Sequence, residues 1–539
     1  MPERFIAPDA GVRLQEPHDS GAHPSPGTAL RRMAAVTAPV PAASLMGQAV
    51  RGFGWIFAWR MTTRILGMAS TLLLVRLLAP ADFGLVALSS SFLQAIDAFS
   101  ALGVEEAVVR THAPDRPLYD TAFTMIALRS AGMALLLALG AAPLAAFFAE
   151  PRLAPVVLVT AAITLVSGFE NVGMLEFRRD LRFDREFRLQ AVPRLAGVAT
   201  TVVAALIWRD YWALVIGSAA LRLVRLPTSY LMHPYRPRPT LAAWRQLVGF
   251  SFWTWLLCMV RLARDRVQVF VLGRVLGTAS LGIYSIALEI AGMPGSELVL
   301  PMGRALFSAI SVARRSGGDA ETIWLRVVGL TALVVFPAGV GLALVAEPLV
   351  RLMLGAQWMA AVPLVRIAAA AGAFTLFDHF CHIQLDAAGL VHIDFRGNCV
   401  TATVRVALAV ALVPAFGMAG AIWGLAVAAL FDQLVYLVIK KLVLPFRPVL
   451  LLRQVWRPAV ATGAMAAAVA WSGLARLPAG ADGLAAAQHL LAPALLGAVA
   501  YAGVLLLAWR LAGRPDGAEA DILASLRQRL ARLRPPVRA

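Results

Sequence analysis

Lysine is almost missing from this chain: of its 49 basic residues, all but Lys440 and Lys441 are arginine. Charge as a whole is scarce. Only 15% of the 539 residues are Asp, Glu, Lys or Arg, against 59% hydrophobic, and the mean hydropathy is +0.73. A soluble globular domain is about 45–50% apolar, so the composition indicates an all-α, polytopic membrane protein. Cysteine is scarce too. Cys258, Cys381 and Cys399 lie in or beside apolar segments and show no C-x-x-C spacing, which argues against a disulfide framework and a zinc site. Residues 1–46 hold no apolar signal-peptide core and are rich in Pro, Ala and Gly, so they are expected to form a disordered cytoplasmic tail. The chain also lacks a G-x-G-x-x-G loop, paired acids on a loop and a Ser/His/Asp order. These absences argue against an enzyme, and no cofactor is expected.

What is present is a recurrence of runs of about 20 mainly apolar residues, the length that crosses a bilayer. They are expected at 55–77, 83–103, 121–148, 154–176, 191–208, 211–232, 248–273, 281–311, 323–346, 359–385, 394–413, 416–439, 457–475 and 488–509, about 14 transmembrane helices. The net charge of +18 reads as topology, and no nucleic-acid partner is expected. Nineteen basic residues fall in the even-numbered connections and six in the odd-numbered ones. The positive-inside rule then assigns the even connections and both termini to the cytoplasm. Near the C-terminus, Ile522, Leu523, Leu526, Leu530 and Leu533 recur at helical spacing with Arg between them. Residues 512–539 are therefore expected to form a basic amphipathic tail on the cytoplasmic leaflet; the alternative is a solvated tail without a role.

The segment from Arg51 resembles the segment from Val248. Gly52–Phe53 aligns with Gly249–Phe250 and Arg64 with Arg261 at an offset of 197, while Arg76 aligns with Arg274 and Gly84 with Gly282 at 198. Six spans separate them, so the repeats share one orientation. The alternative is chance similarity between two apolar, Arg-containing helices. The repeat predicts two parallel six-helix lobes around a central cavity, a transporter architecture: residues 47–240 as spans 1–6 and 241–445 as spans 7–12. Residues 446–511 add spans 13 and 14.

"LLLVRLLAPADFGLVALSSSF", followed by "LGVEEAVVR", resembles the opening of bacterial oligosaccharide flippases of the Wzx type. "RVQVFVLGRVLGTASLGIYSIALEI", "PMGRALFSAIS" and "LEFRRDLRFDREF" are similar to later segments of that family, in the same order. The family belongs to the multidrug/oligosaccharidyl-lipid/polysaccharide exporter superfamily. The resemblance covers roughly residues 50–445. It implies a multi-pass protein of the bacterial inner membrane that flips a polyprenyl-pyrophosphate-linked oligosaccharide to the periplasmic leaflet by alternating access. Its implied partners are the lipid-linked oligosaccharide and the bilayer, with a polysaccharide polymerase or co-polymerase as a further candidate. The charges in "RLARDR" and "LGVEEA" depart from many relatives, which carry neutral residues there.

Those charges are costly at mid-bilayer, at least about 2.5–3.5 kcal/mol each on insertion scales. Arg261, Arg264 and Asp265 share a helical face, and Arg60 and Arg64 share one in the matching span. Planar guanidinium groups bind phosphate oxygens in pairs and stay charged at any biological pH. Arg60, Arg64, Arg261 and Arg264 are therefore the expected pyrophosphate handhold of the cavity. Alternatively they snorkel to the interface, though Arg261 lies about 20 Å along a helix from Val248. Among intramembrane acids, Glu170, Glu289 and Asp378 are the candidates for ion coupling, since a buried carboxylate can carry a proton or coordinate sodium. The alternative is structural pairing with Arg. His379, Cys381 and His382 scatter around their helix, so no metal is expected. Two other functions compete: a multidrug antiporter, whose cationic cargo calls for an acidic and aromatic site, and a membrane glycan polymerase or ligase, which calls for a large periplasmic loop.

Overall fold

The computed structural model describes residues 66–67, 69–99, 104–111, 115–180, 182–247, 252–478 and 483–514, with Thr62 and Glu519. The expected tail at 1–46 and the expected amphipathic helix after residue 520 lie outside these residues, as does most of the first span. No strand occurs among the described residues. Residues 69–77 are helical. There follow α1 (Pro80–Phe99), α2 (Arg116–Phe148), α3 (Leu153–Ser167), α4 (Phe183–Trp208) and α5 (Trp212–Met232). The second half holds α6 (Phe252–Val275), α7 (Gly277–Ala291), α8 (Leu300–Ser316), α9 (Ala320–Leu344), α10 (Val362–Phe374), α11 (Leu376–Ala387) and α12 (Val391–Val443). α13 (Pro448–Ser472) and α14 (Gly483–Leu511) end the described chain.

Among the described residues, seven helices are long and apolar enough to cross a membrane. Their outer faces carry large apolar side chains such as Leu139, Ile207, Leu442 and Val499, all exposed. A soluble surface does not tolerate so many, whereas lipid requires them.

Local chemistry sets where the helices start and break. Asp115 caps α2 by accepting from the Leu118 amide, with Pro117 in the first turn, and Asp319 caps α9 by accepting from the Glu321 amide. Asp319 lies outside the spans, and its hydrogen bond from the Thr322 hydroxyl holds its carboxyl below the usual range. The expected span 281–311 is interrupted: "GMPGSELVLP" separates α7 from α8 with a π-turn at Gly295–Val299. Proline supplies no amide hydrogen, and π-turns absorb such a fault. The expected span 154–176 ends early, at Ser167. Gly168 follows the helix, and the Asn171 side chain then caps a separate turn at Val172–Met174. Glu170 therefore lies beyond α3. The two expected spans at 394–413 and 416–439 form one hairpin, α12, folded at Gly417, whose φ of 59° and ψ of −134° leave the helical region. Only glycine takes that conformation without strain.

The two repeat segments touch through α1 against α6 and α7. A Cβ on Gly84 would lie 1.8 Å from the Thr278 carbonyl oxygen, and a Cβ on Gly282 would lie 1.8 Å from the Pro80 carbonyl oxygen. Gly84 and Gly282 are aligned in the repeat at an offset of 198, and the same offset relates Pro80 to Thr278. The contact is thus self-complementary, as across a two-fold axis. Beside it, Phe92 stacks on Phe270 at 5.0 Å, and Arg266 donates to Gln94. The Val75 carbonyl accepts from Gln357 Nε2 at 2.7 Å and Trp358 Nε1 at 2.9 Å. In the connection between α2 and α3, Arg152 holds the Glu150 carboxyl below its ordinary range while Thr278 donates to it at 3.1 Å. Alanine normally exceeds glycine in a helix by about 1 kcal/mol. Here Gly84→Ala and Gly282→Ala should each lower stability by about 1–3 kcal/mol through overpacking. Gly132→Ala on α2, where a Cβ meets nothing within 4 Å, should be neutral or stabilising. Thermal unfolding of the detergent-purified variants checks the difference in sign.

Candidate functional site

A cavity of about 150 Å³ opens between the repeat segments. Gly67 and Thr71 line it from the first span, Arg194 from α4, and Ile286, Glu289 and Met293 from α7 and the turn after it. Arg194 and Glu289 are both exposed within the molecule. Arg194 reaches the first span so closely that a Cβ on Gly67 would sit 3.5 Å from its Nη2. Glu289 was singled out from the sequence; Arg194 was not. The signal for it is the one that exposed Arg261: an arginine inside an apolar run, here "AVPRLAGV".

A second concentration of polar groups runs through α6, α11 and α12. Asp394 is fully buried at the start of α12, and its Oδ2 accepts from Arg261 Nη2 at 2.8 Å. Its Oδ1 faces His382 Nδ1 at 2.5 Å and accepts from the Tyr436 hydroxyl at 3.2 Å and Asn398 Nδ2 at 3.2 Å. Arg264 pairs with Asp265 at 3.1 Å and donates to Asn398 Oδ1 at 3.0 Å. Farther along α12, Arg405 donates twice to Asp432 Oδ2, at 3.0 and 2.6 Å. Toward the other end Lys440, 1% exposed, donates to Glu321 at 2.6 Å and to Gln384 at 2.5 Å. Its ammonium lies 3.5 Å from the Trp324 ring centroid, a cation–π contact.

The sequence-predicted residues thus fall into distinct places. Arg60 and Arg64 lie outside the described residues. Arg261 and Arg264 share α6 and engage the same short stretch of α12, Asp394 to Asn398. Glu170 pairs with Arg225 of α5 at 2.8 Å, beside Glu105, Asn171 and Glu186 in a smaller cavity of about 100 Å³. Glu289 lies in the larger cavity. Asp378 opens α11, where its amide donates to Gln433 Oε1 at 3.0 Å. Asp394, Arg405 and Asp432 escaped the sequence reading, although each is ionisable and next to or inside an apolar run. Among the described residues no group of three or more His, Cys, Asp or Glu is arranged to hold a metal.

Removing one partner from a buried ion pair costs about 3–5 kcal/mol, because the other charge is stranded. Lys440→Met should therefore destabilise the protein by about that much, and adding Glu321→Leu should recover most of the loss. Thermal unfolding of the single and double variants measures both.

The chain is similar to the lipopolysaccharide biosynthesis protein WzxC of Escherichia coli (strain K12), 22% identical over 417 residues that cover 76% of this chain and 82% of that one. It is also similar to the succinoglycan biosynthesis transport protein ExoT of Rhizobium meliloti (strain 1021), 25% identical over 327 residues, 59% of this chain and 65% of that one. Among solved structures, its fold is similar to the lipid II flippase MurJ in an inward closed conformation. The TM-score is 0.66 at 14% identity, over 84% of this chain and 98% of that one. An inward-facing multidrug resistance MATE family transporter of the MOP superfamily gives 0.56 at 15% identity, over 70% and 95%. A family model described as polysaccharide biosynthesis protein matches residues 73–363, more than half of the length, and this multi-pass membrane protein belongs to that family.

Proposed function

We infer that this protein is a transporter that flips a lipid-linked oligosaccharide from the cytoplasmic to the periplasmic leaflet of the bacterial inner membrane, for surface or exported polysaccharide. The observation that carries this reading is the charged cavity between the two repeat segments, on a fold shared with MurJ and in a chain related to WzxC and ExoT. We further propose that residues 47–240 and 241–445 act as lobes that alternate access to that cavity, with both termini cytoplasmic. The bound anion is a polyprenyl pyrophosphate.

Arg261 is the described residue best suited to receive that anion. Its side chain keeps 36% of its surface exposed, although its partner Asp394 has none. A phosphate can therefore approach the exposed side of the guanidinium while its other side stays on the Asp394 carboxylate. Arg264 is more enclosed, at 15%, and steadies the same stretch of α12. Arg64 joins the handhold on its alignment with Arg261, and Arg60 because it lies one turn before Arg64 on the same helical face. Arg194 is added to it as a cavity cation. Glu170, Glu289 and Asp378 remain the candidates for ion coupling. A multidrug antiporter fits less well, because the cavity and the α6 surface present arginine where a cationic cargo calls for acids. A polymerase or co-polymerase would receive the flipped product.

In a deletion strain the polymer should be lost and the lipid-linked intermediate trapped on the cytoplasmic leaflet. Complementation with Arg261→Lys, which keeps a charge against Asp394 but gives up the paired guanidinium donors, should lower export about 10- to 100-fold, the worth of one charge-assisted hydrogen bond of about 1.5–3 kcal/mol, with membrane abundance unchanged. Normal polymer from that variant would remove Arg261 from the handhold. An untrapped intermediate in the deletion strain would overturn the transport reading itself.

A further inference from the structure

The two arms of α12 meet closely at one end and stand apart at the other. Near the fold at Gly417 their main chains approach: a Cβ on Gly420 would lie 1.9 Å from the Leu412 carbonyl oxygen. Toward the open end the arms meet through side chains, and a Cβ on Gly397 would face Ile439 Cδ1 at 2.7 Å and the Tyr436 hydroxyl at 2.9 Å. Where the arms part, a groove of about 560 Å³ runs between them, and all the residues that line it belong to α12. Ile393, Gly397 and Val400 share one helical face of the first arm, and Leu434, Val438 and Leu442 share one of the second. The opposite faces turn into the bundle with Asp394, Asn398, Asp432, Tyr436 and Lys440, all buried. Val400, Leu434, Val438 and Leu442 are exposed, so the groove opens on the outer surface that lipid covers.

Its walls, its length and its one charge specify an occupant. Every lining residue except Arg396 is apolar, and a water there would find almost no polar partner. From Phe431 to Val443 the second arm runs about 18 Å, close to the hydrocarbon depth of one leaflet, about 15 Å. Arg396 is exposed near the start of α12 and makes no hydrogen bond or ion pair among the described residues. Lys441, also exposed, lies at the same end on the second arm. At the far end, around the fold, residues 406–430 carry no charge at all. The groove is therefore apolar along its length and cationic at one end, the complement of an amphiphile with an anionic head.

We propose that this groove is a site for one anionic phospholipid of the surrounding bilayer, with an acyl chain between the arms of α12 and the phosphate on Arg396. A guanidinium binds phosphate oxygens in pairs. In a zwitterionic phospholipid the ammonium of the head group competes for that phosphate, so a lipid of net negative charge is preferred. The central cavity and this groove share no lining residue, which separates the bound lipid from the cargo, and the site stands independently of the transport reading. Lodged between the arms, the chain holds Asn398 of one and Tyr436 of the other in place on Asp394.

Native mass spectrometry of the full-length protein, released from detergent after incubation with phosphatidylglycerol or phosphatidylethanolamine, measures the binding of each. The first phosphatidylglycerol should bind about 5-fold more tightly than the first phosphatidylethanolamine, the worth of one cation at a membrane surface. Arg396→Gln should abolish that preference and leave the lipid-free unfolding temperature unchanged, because the residue forms no bond within the described protein. Val438→Trp, which fills the groove from its exposed wall, should lower the number of retained lipids by one. Equal binding of the two lipids, a preference that survives Arg396→Gln, or a lipid count untouched by Val438→Trp overturns the proposal. A polyprenyl phosphate that displaces the first phosphatidylglycerol gives the groove to the cargo, and a dimer that Val438→Trp disperses gives it to a second copy; either outcome overturns it as well.

Discussion

A carboxylate with no exposure at all, in a helical bundle bound for lipid, sets the terms for the second half of this molecule. Isolated, the Asp394 charge would cost several kcal/mol to bury. It is instead met by Arg261 from α6, His382 from α11, and Asn398 and Tyr436 from the two arms of α12. None of these helices can leave without stranding the charge. The α12 hairpin is closed by this group, and α6 is fixed against it in rotation as well as position. Within lipid, apolar contact alone distinguishes poorly between one helix pairing and another, because lipid tails are as apolar as leucine. Directional polar bonds restore the distinction. The same logic repeats at Lys440 with Glu321 and Gln384, and at Arg405 with Asp432.

The cavity side is organised differently. There, Arg194 of α4 and Glu289 of α7 line one cavity and are exposed rather than enclosed. The pairs of α6, α11 and α12 are enclosed and hold helices together, whereas Arg194 and Glu289 stand on the cavity wall.

Much of this was legible in the sequence, and the limits are physical. Apolar run length located the helices because lipid imposes a length. It did not foresee that α3 stops at Ser167, because Gly168 and the side-chain cap of Asn171 are local chemistry that hydropathy does not register. The break after α7 was written in "GMPGSELVLP", where two prolines and two glycines interrupt one apolar run. Arg261 stood out as an anomalous charge, but its partner lies 133 positions away, and no helical periodicity relates them. Asp394 sat at the edge of an apolar run and passed for a boundary residue. The repeat alignment matched Gly84 with Gly282, yet it gave no hint that the two matched residues touch.

That touch has a consequence for descent. If the two segments began as a single gene whose product paired with itself, one codon would have governed both faces of the crossing. A change to alanine there would have introduced both clashes at once, one against each facing carbonyl, doubling its penalty. Duplication and fusion divided that codon into two, so each glycine can now drift separately. The crossing still tolerates neither change, because a lone Cβ on either side already meets a main-chain oxygen. Symmetry at this point thus has a steric reason to persist after duplication.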